Sequence, residues 1–405
     1  MPQDVRFFLP FETRTNPSAD GARAHHLAWV RAHGLVADGA PLRAYADWRL
    51  TDLAAHAYPD AAPQDLELAT DAVCLGFPLD DQFDGELGRR PERVARLTTA
   101  LAAVAYRPPG APPTLDLPLT RAYADMWRRA ADGMSPAWRE RAARHLTRFF
   151  RSYVREARNR LAGAPLDEHA YLAVRRQAVG TAPCFDLIER AGRFEVPVRA
   201  YWSTEVQILT RCAGDVIFLC NDVHSLEREE ASGDPHNLVL IRRRAQGCSR
   251  EAAVRQVVDL VRGRVELFQR AASRLPDLAA RLALDAAGRE AVERYVDGLR
   301  CWMAGNQRWG VASARYAGGA AGRGVVGDLA GHLSHDLSHD LAAGPAGGRT
   351  SGHTTGQAAD RAAPGRPPAQ LSGPGGRPSA PRRPAAGPGD ATSAATPPRA
   401  RAVRP

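Results

Sequence analysis

Asn221-Asp222-Val223-His224-Ser225-Leu226-Glu227-Arg228-Glu229 is the stretch on which the reading of this chain turns. Asn221, Ser225 and Glu229 recur every four residues, so on a helix they stack along one face. Each offers a side-chain oxygen, and a row of oxygens is half a cage for a hard divalent cation. Its single formal charge suits Mg²⁺ only if an anionic ligand completes the shell. The bland alternative is a solvated polar helix face. The flanks argue against it, because Val216, Ile217, Phe218, Leu219 and Cys220 run straight into Asn221. Polar oxygens at the end of a buried helix need a partner.

A second row stands earlier in the chain. Asp80, Asp81 and Asp84 form D-D-x-x-D, with Asp80 and Asp84 one helical turn apart. Three unpaired carboxylates so close repel one another unless cations or solvent screen them. Alone, the cluster is weak, since acidic surface patches are common. With the Asn-Ser-Glu row it predicts two walls of one metal-filled mouth. Around that mouth, Arg175, Arg228 and Arg315 are the candidate anion ligands, because the planar fork of Arg donates two bonds to paired phosphate oxygens. For any one of them taken alone a surface role is the better reading in so arginine-rich a chain, and only position relative to the motifs raises it. Aromatic faces attract cations, and Phe77 lies one turn before Asp80. Trp302, Asn306 and Trp309 share one face of the last core helix. Ordinary core packing is the alternative for each of these rings.

Together these residues resemble the class I terpene synthases, whose metal motifs are D-D-x-x-D and N-D-x-x-S-x-x-x-E. The likeness includes Arg228 at the basic position before the last Glu, the pair Arg315-Tyr316, and Tyr171-Leu172-x-x-Arg175-Arg176-x-x-x-Gly180. It runs through nearly four-fifths of the chain. It implies an all-α bundle around a deep apolar cavity, and loss of diphosphate from an allylic prenyl diphosphate with cyclisation of the carbocation left behind. It also implies metal ligands at Asp80, Asp84, Asn221, Ser225 and Glu229, and three Mg²⁺ bound with the diphosphate. Arg175 becomes the diphosphate sensor, although one residue of register separates it from Arg176. Arg228, Arg315 and Tyr316 become further diphosphate contacts, and Phe77, Trp309 and Tyr316 act at the reacting centre. A helix break is expected near Val179-Gly180. The substrate implied is farnesyl diphosphate, with geranyl or geranylgeranyl diphosphate as alternatives. Two departures stand out: Gly76 and Pro78 flank Phe77 where bulky residues are common, and Gly310 after Trp309 offers no side chain as a base.

The chain has 405 residues and a net charge of +9, with every basic residue an arginine and no lysine. Ten Arg and five Asp fall after Tyr316, so the body is near neutral and a nucleic-acid partner is not expected. Six cysteines show no C-x-x-C pattern and read as reduced, mostly buried thiols. No leader-like segment and no run of about 18 apolar residues is seen, so no membrane span and a cytoplasmic location are expected. A monomer or a homodimer fits equally.

Residues 1–20 read as an extended arm, with Phe7, Phe8, Leu9 and Phe11 packing it onto the body. Residues 21–316 read as one catalytic domain of roughly ten helices, broken at Gly, Pro and Asp-Gly positions. Leu329, Leu333, Leu337 and Leu341 permit a short helix over the mouth within 317–345. Residues 346–405, rich in Gly, Pro, Ala and Arg, read as disordered. His-Leu-Ser-His-Asp-Leu-Ser-His-Asp at 332–340 reads as a polar turn rather than a metal site. The competing readings are a chain-elongating prenyl diphosphate synthase, which normally carries a second Asp-rich motif and lysines, and a decayed synthase or non-enzyme that binds through its Arg-rich tail.

Overall fold

The computed structural model describes residues 4–316, except 84, 109, 164 and 165. Asp84, the expected mouth-covering helix, the 332–340 stretch and the tail therefore lie outside the described residues. Helices account for nearly all regular structure, and no strand occurs among the described residues.

The chain enters as an extended arm. Phe7 is buried on the body, but Phe8 is 72% exposed, contrary to the expectation that all of this aromatic run packs inward. Alternation along an extended arm turns neighbouring side chains to opposite sides, so both rings cannot be buried on one surface. Four helices follow: α1 (Ala19–Ala32), α2 (Ala40–Asp47), α3 (Leu50–Ala57) and α4 (Pro63–Phe83). Next come α5 (Pro91–Val104), α6 (Pro118–Ala131), α7 (Pro136–Ala162), α8 (Glu168–Ala178) and α9 (Thr181–Gly192). The single turn α10 (Val198–Tyr201) leads to α11 (Thr204–His224), α12 (Leu226–Ser232) and α13 (Leu238–Gln246). The last three are α14 (Arg250–Ala272), α15 (Leu275–Arg281) and α16 (Ala286–Ala312), with a 3₁₀ turn at Ala314–Tyr316.

Among the described residues sixteen α-helical segments exceed the roughly ten expected, because several breaks carry no proline or glycine. Arg49 separates α2 from α3 with φ at 53°, a left-handed conformation that costs a side-chain-bearing residue about 1 kcal/mol. The breaks flagged by composition do occur, with Gly39, Gly163 and Gly233 flanking helix ends. The expected break at Val179-Gly180 is present, since α8 stops at Ala178 and α9 starts at Thr181. Gly180 sits there at φ 71°, and a Cβ on it would stand 3.1 Å from the Phe149 ring. Side-chain oxygens begin many of the helices: Ser135, Asp167, Ser203, Ser249 and Asp285 each accept a bond from a first-turn amide.

The core lies between α4, α7, α9, α11 and α16. Helix α11 packs on α14 and α16, α3 on α16 and α4, and α7 on α8 and α9. Their inward stripes bury Leu66, Leu75, Phe150, Phe218 and Leu299 almost completely, each contributing about 1.5–3 kcal/mol of hydrophobic stabilisation. Helix α4 runs through Pro78 to Phe83. Pro78 has no N–H to close on the Cys74 carbonyl, so the acidic end of α4 is joined to the rest by one bond fewer. All six cysteines are free thiols, and Cys74, Cys212, Cys220 and Cys301 are buried.

Candidate active site

A cavity of about 170 Å³ opens between these helices. Its body is aromatic: Phe77 from α4, Phe149 and Tyr153 from α7, and Trp302 and Trp309 from α16 all line it. The spacing Trp302, Asn306, Trp309 places all three on the cavity face, as the period of α16 requires. Phe77 meets Trp309 edge-on at 5.4 Å, and Trp309 meets Tyr316 at the same distance. The indole nitrogen of Trp302 is buried without a hydrogen-bond partner. Trp309 also borders an outer pocket of about 460 Å³ beside Arg49 and Arg308.

The rim is polar, and Asp80, Arg175 and Asn221 reach it. Asn221 Oδ1 accepts from Arg175 Nη2 at 2.6 Å, while its Nδ2 donates to the Tyr316 hydroxyl at 2.7 Å. Burial raises the Tyr316 phenol to about 12, so it remains protonated at neutral pH. Asp80 Oδ1 accepts from Tyr153 at 3.3 Å. The register left open in the sequence is resolved by the helix: Arg175 faces the cavity, whereas Arg176 turns outward to Asp215 at 2.7 Å, which Arg264 also pairs. Arg175 is anchored from behind, its Nε lying 3.3 Å from Asp222. Burial works against the Arg175 charge, but Tyr171, Asp222 and Glu229 hold it firmly protonated.

The Asn-Ser-Glu row is not one unbroken helix. Helix α11 ends at His224 and α12 begins at Leu226, with Ser225 as the joint. At the joint Ser225 Oγ folds back to donate to the Asn221 carbonyl at 2.8 Å. The four-residue stacking survives, because Ser225 N still reaches Asn221 O and Glu229 N reaches Ser225 O. Glu229 accepts from Asn237 at 2.6 Å, and burial, then the neighbouring Asp222, lift its carboxyl to about 8. The intervening Asp222 is no cavity ligand. It is fully buried, accepting from the Tyr171 hydroxyl and from Leu238 N at 3.0 Å.

The acidic motif divides in a way that spacing could not show. Asp81 is not an unpaired neighbour of Asp80. It takes two bonds from Arg315, at 2.8 and 3.2 Å, and one from Arg228 at 2.8 Å. Burial would raise its carboxyl, but Arg315 and then Arg228 hold it below the usual range. Arg228 and Arg315 thus meet on Asp81 at the mouth rather than within the cavity. Residues that sequence reasoning missed include Phe149 and Tyr153, whose α7 stripe carried no distinguishing signal, and Trp48. His224 is another. Its ring fills the space that Gly310 leaves, where a Cβ at 310 would lie 2.3 Å from Nδ1, and burial lowers its pKa to about 4.

The donor set at the rim consists of carboxylate, amide and hydroxyl oxygens, the chemistry of a hard dication rather than of zinc or copper. Among the described residues no three His, Cys, Asp or Glu side chains converge on one point. A cation there fits if Asn221, Ser225 and a ligand's own oxygens complete its shell. It would also displace the proton that burial places on Glu229.

An all-α bundle with an oxygen-and-arginine rim over an aromatic cavity defines a binder of molecules with an anionic head and an apolar body. Residues 71–266 match the family model described as terpene synthase family 2, C-terminal metal binding. Pentalenene synthase of Streptomyces exfoliatus is 42% identical over 319 residues, covering 78% of this chain and 94% of that one. A 7-epi-alpha-eudesmol synthase of Streptomyces viridochromogenes, described as cyclizing (2E,6E)-farnesyl diphosphate, is 36% identical over 341 residues, 81% of this chain and 99% of its own. Among solved structures, germacradien-4-ol synthase from Streptomyces citricolor superposes with a TM-score of 0.69 at 38% identity, covering 77% of this chain and 99% of that one. This chain belongs to the terpene synthase family. No helix among the described residues is long and apolar enough to cross a membrane.

Proposed function

We propose that the protein is a sesquiterpene synthase that ionises farnesyl diphosphate and cyclises the resulting carbocation. The observation that carries this reading is the junction of Arg175 and Asn221 at the rim with an aromatic cavity directly beneath. The relatives' named substrate supports a C15 chain over C10 or C20. In this reading residues 21–316 form the catalytic domain and residues 1–20 an arm. The enzyme works in the cytoplasm without a nucleic-acid partner.

Asp80, Asn221, Ser225 and Glu229, with Asp84, would hold Mg²⁺ ions, three in number, against the diphosphate. When bound, these ions supply the positive charge that makes diphosphate a better leaving group. Arg175 offers the leaving group a forked pair of donors, and the Tyr316 hydroxyl can turn from Asn221 to add another. Arg228 and Arg315 supply further charge once they loosen from Asp81. The allylic C–O bond breaks with its electron pair going to diphosphate, and the cation remains in the cavity. There Phe77 and Trp309 offer ring faces worth about 0.5–2 kcal/mol each to a cation, and the enclosing walls keep water away. A chain-elongating synthase is the poorer reading, because the second wall is Asn-Ser-Glu rather than Asp-rich.

The test is incubation of purified protein with geranyl, farnesyl and geranylgeranyl diphosphates, with volatile products analysed by gas chromatography–mass spectrometry. A cyclic C15 product that requires Mg²⁺ is expected. Full activity in excess chelator sinks the metal assignment, and linear elongated diphosphates sink the cyclase.

Phe77→Leu and Trp309→Leu are expected to change products more than diphosphate release. An unchanged product profile in both variants would return these rings to plain packing.

A further inference from the structure

Trp48 has no place in any motif, yet nearly all that it touches leads to Arg315. Its carbonyl accepts from the Trp309 indole at 3.0 Å and from Ser313 Oγ at 2.8 Å. Ser313 Oγ in turn accepts from Arg315 N at 3.2 Å, so the turn that delivers Arg315 is tied to the α2–α3 corner. The Trp48 ring then lies 4.5 Å from the Arg315 guanidinium carbon, and Phe77 lies 5.0 Å from it. Trp48 is 2% exposed and Arg315 5%, so both contacts are shielded from water.

A guanidinium that lies over two aromatic rings is constrained in a particular way. Ring contacts resist tilting but resist sliding in the plane only weakly, whereas hydrogen bonds are directional within that plane. The donors of Arg315 point along the plane to Asp81. The rings can therefore keep the plane and the charge in place while the edge donors change partner. We infer that Trp48 is a positioning residue for the reaction, forming with Phe77 an aromatic clamp that holds Arg315 in the plane from which it passes from Asp81 to the diphosphate. The inference rests on the reading of this mouth as a diphosphate site. The strained Arg49 that follows Trp48 is consistent with a corner kept for where it puts that ring and carbonyl.

The experiment compares Trp48→Leu and Trp48→Phe with the parent for three quantities: affinity for inorganic diphosphate with Mg²⁺ by calorimetry, kcat and KM for farnesyl diphosphate, and melting temperature. The backbone carbonyl is kept in both variants, so only the ring is tested. Trp48→Leu should weaken diphosphate binding about tenfold, while Trp48→Phe should weaken it only about two- to threefold, because the smaller ring still presents a negative face. Combined with Arg315→Gln, Trp48→Leu should cause no further loss. A melting temperature lowered with diphosphate affinity unchanged would show a packing role alone and overturn the inference, as would an additive loss in the double variant. Should Trp48→Leu not fold, Trp48→Phe decides alone. A reproducible loss of affinity that disappears in Arg315→Gln supports the clamp, and identical affinity overturns it. If the parent itself binds no diphosphate in Mg²⁺, the reading of the mouth fails, and the clamp with it.

Discussion

Asn221→Ala should abolish turnover, lowering kcat/KM by about a thousandfold or more while the helical circular dichroism is retained. One amide here performs three tasks. Its oxygen is the proposed metal ligand and meanwhile accepts from Arg175, and its nitrogen donates to Tyr316. Alanine removes all of them at once, and loss of about 4 kcal/mol of transition-state stabilisation corresponds to that thousandfold. The fold should tolerate the change. Alanine is the better helix former near the end of α11, and Arg175 keeps its ion pair to Asp222. Glu229→Ala should behave alike, with the added release of Asn237 from its bond to the carboxylate. Steady-state kinetics checks both, and a variant within tenfold of the parent would remove the Asn-Ser-Glu row from the metal site.

Arg175→Lys is expected to lower turnover by at least tenfold, about 1.4 kcal/mol. Charge survives the substitution, but the forked geometry does not, and a lysine cannot reach Asn221 and Asp222 together as the guanidinium does. Arg176→Lys is the matched control, because that side chain pairs with Asp215 away from the cavity, and Arg264 pairs with the same carboxylate. It should cost less than threefold in turnover. Should Arg176→Lys be the damaging change, the assignment of the sensor is wrong by one residue.

Much of this was legible before any coordinates. The spacing of Asn221, Ser225 and Glu229 and the face shared by Trp302, Asn306 and Trp309 follow from the helical period, which is local information, whereas the break at Val179-Gly180 was expected from the resemblance. What sequence could not convey depends on approach between distant segments. Nothing near Asp81 signals that Arg228 and Arg315 will neutralise it, and nothing near Trp48 signals the arrival of Trp309 and Arg315. The joint at Ser225 was missed because no proline or glycine marks it. Phe8 was read with its neighbours as core because composition does not distinguish the two sides of an extended arm.

The rim residues are already occupied with one another, and this gives the mouth a selectivity of its own. Arg175 is bonded to Asn221, Asn221 to Tyr316, and Arg315 and Arg228 to Asp81. A ligand that enters must exchange these bonds, not merely add to them, because any group stripped of its partner without a replacement carries a desolvation penalty of about 1–3 kcal/mol. A prenyl alcohol brings one hydroxyl and no charge, too little to release even the first pair. A diphosphate carrying its cations brings enough oxygens and enough positive charge to replace every partner in one event. The resting network thus acts as a threshold on the head group: it discriminates by how many bonds a ligand can return, before the cavity has sensed the shape of the hydrocarbon.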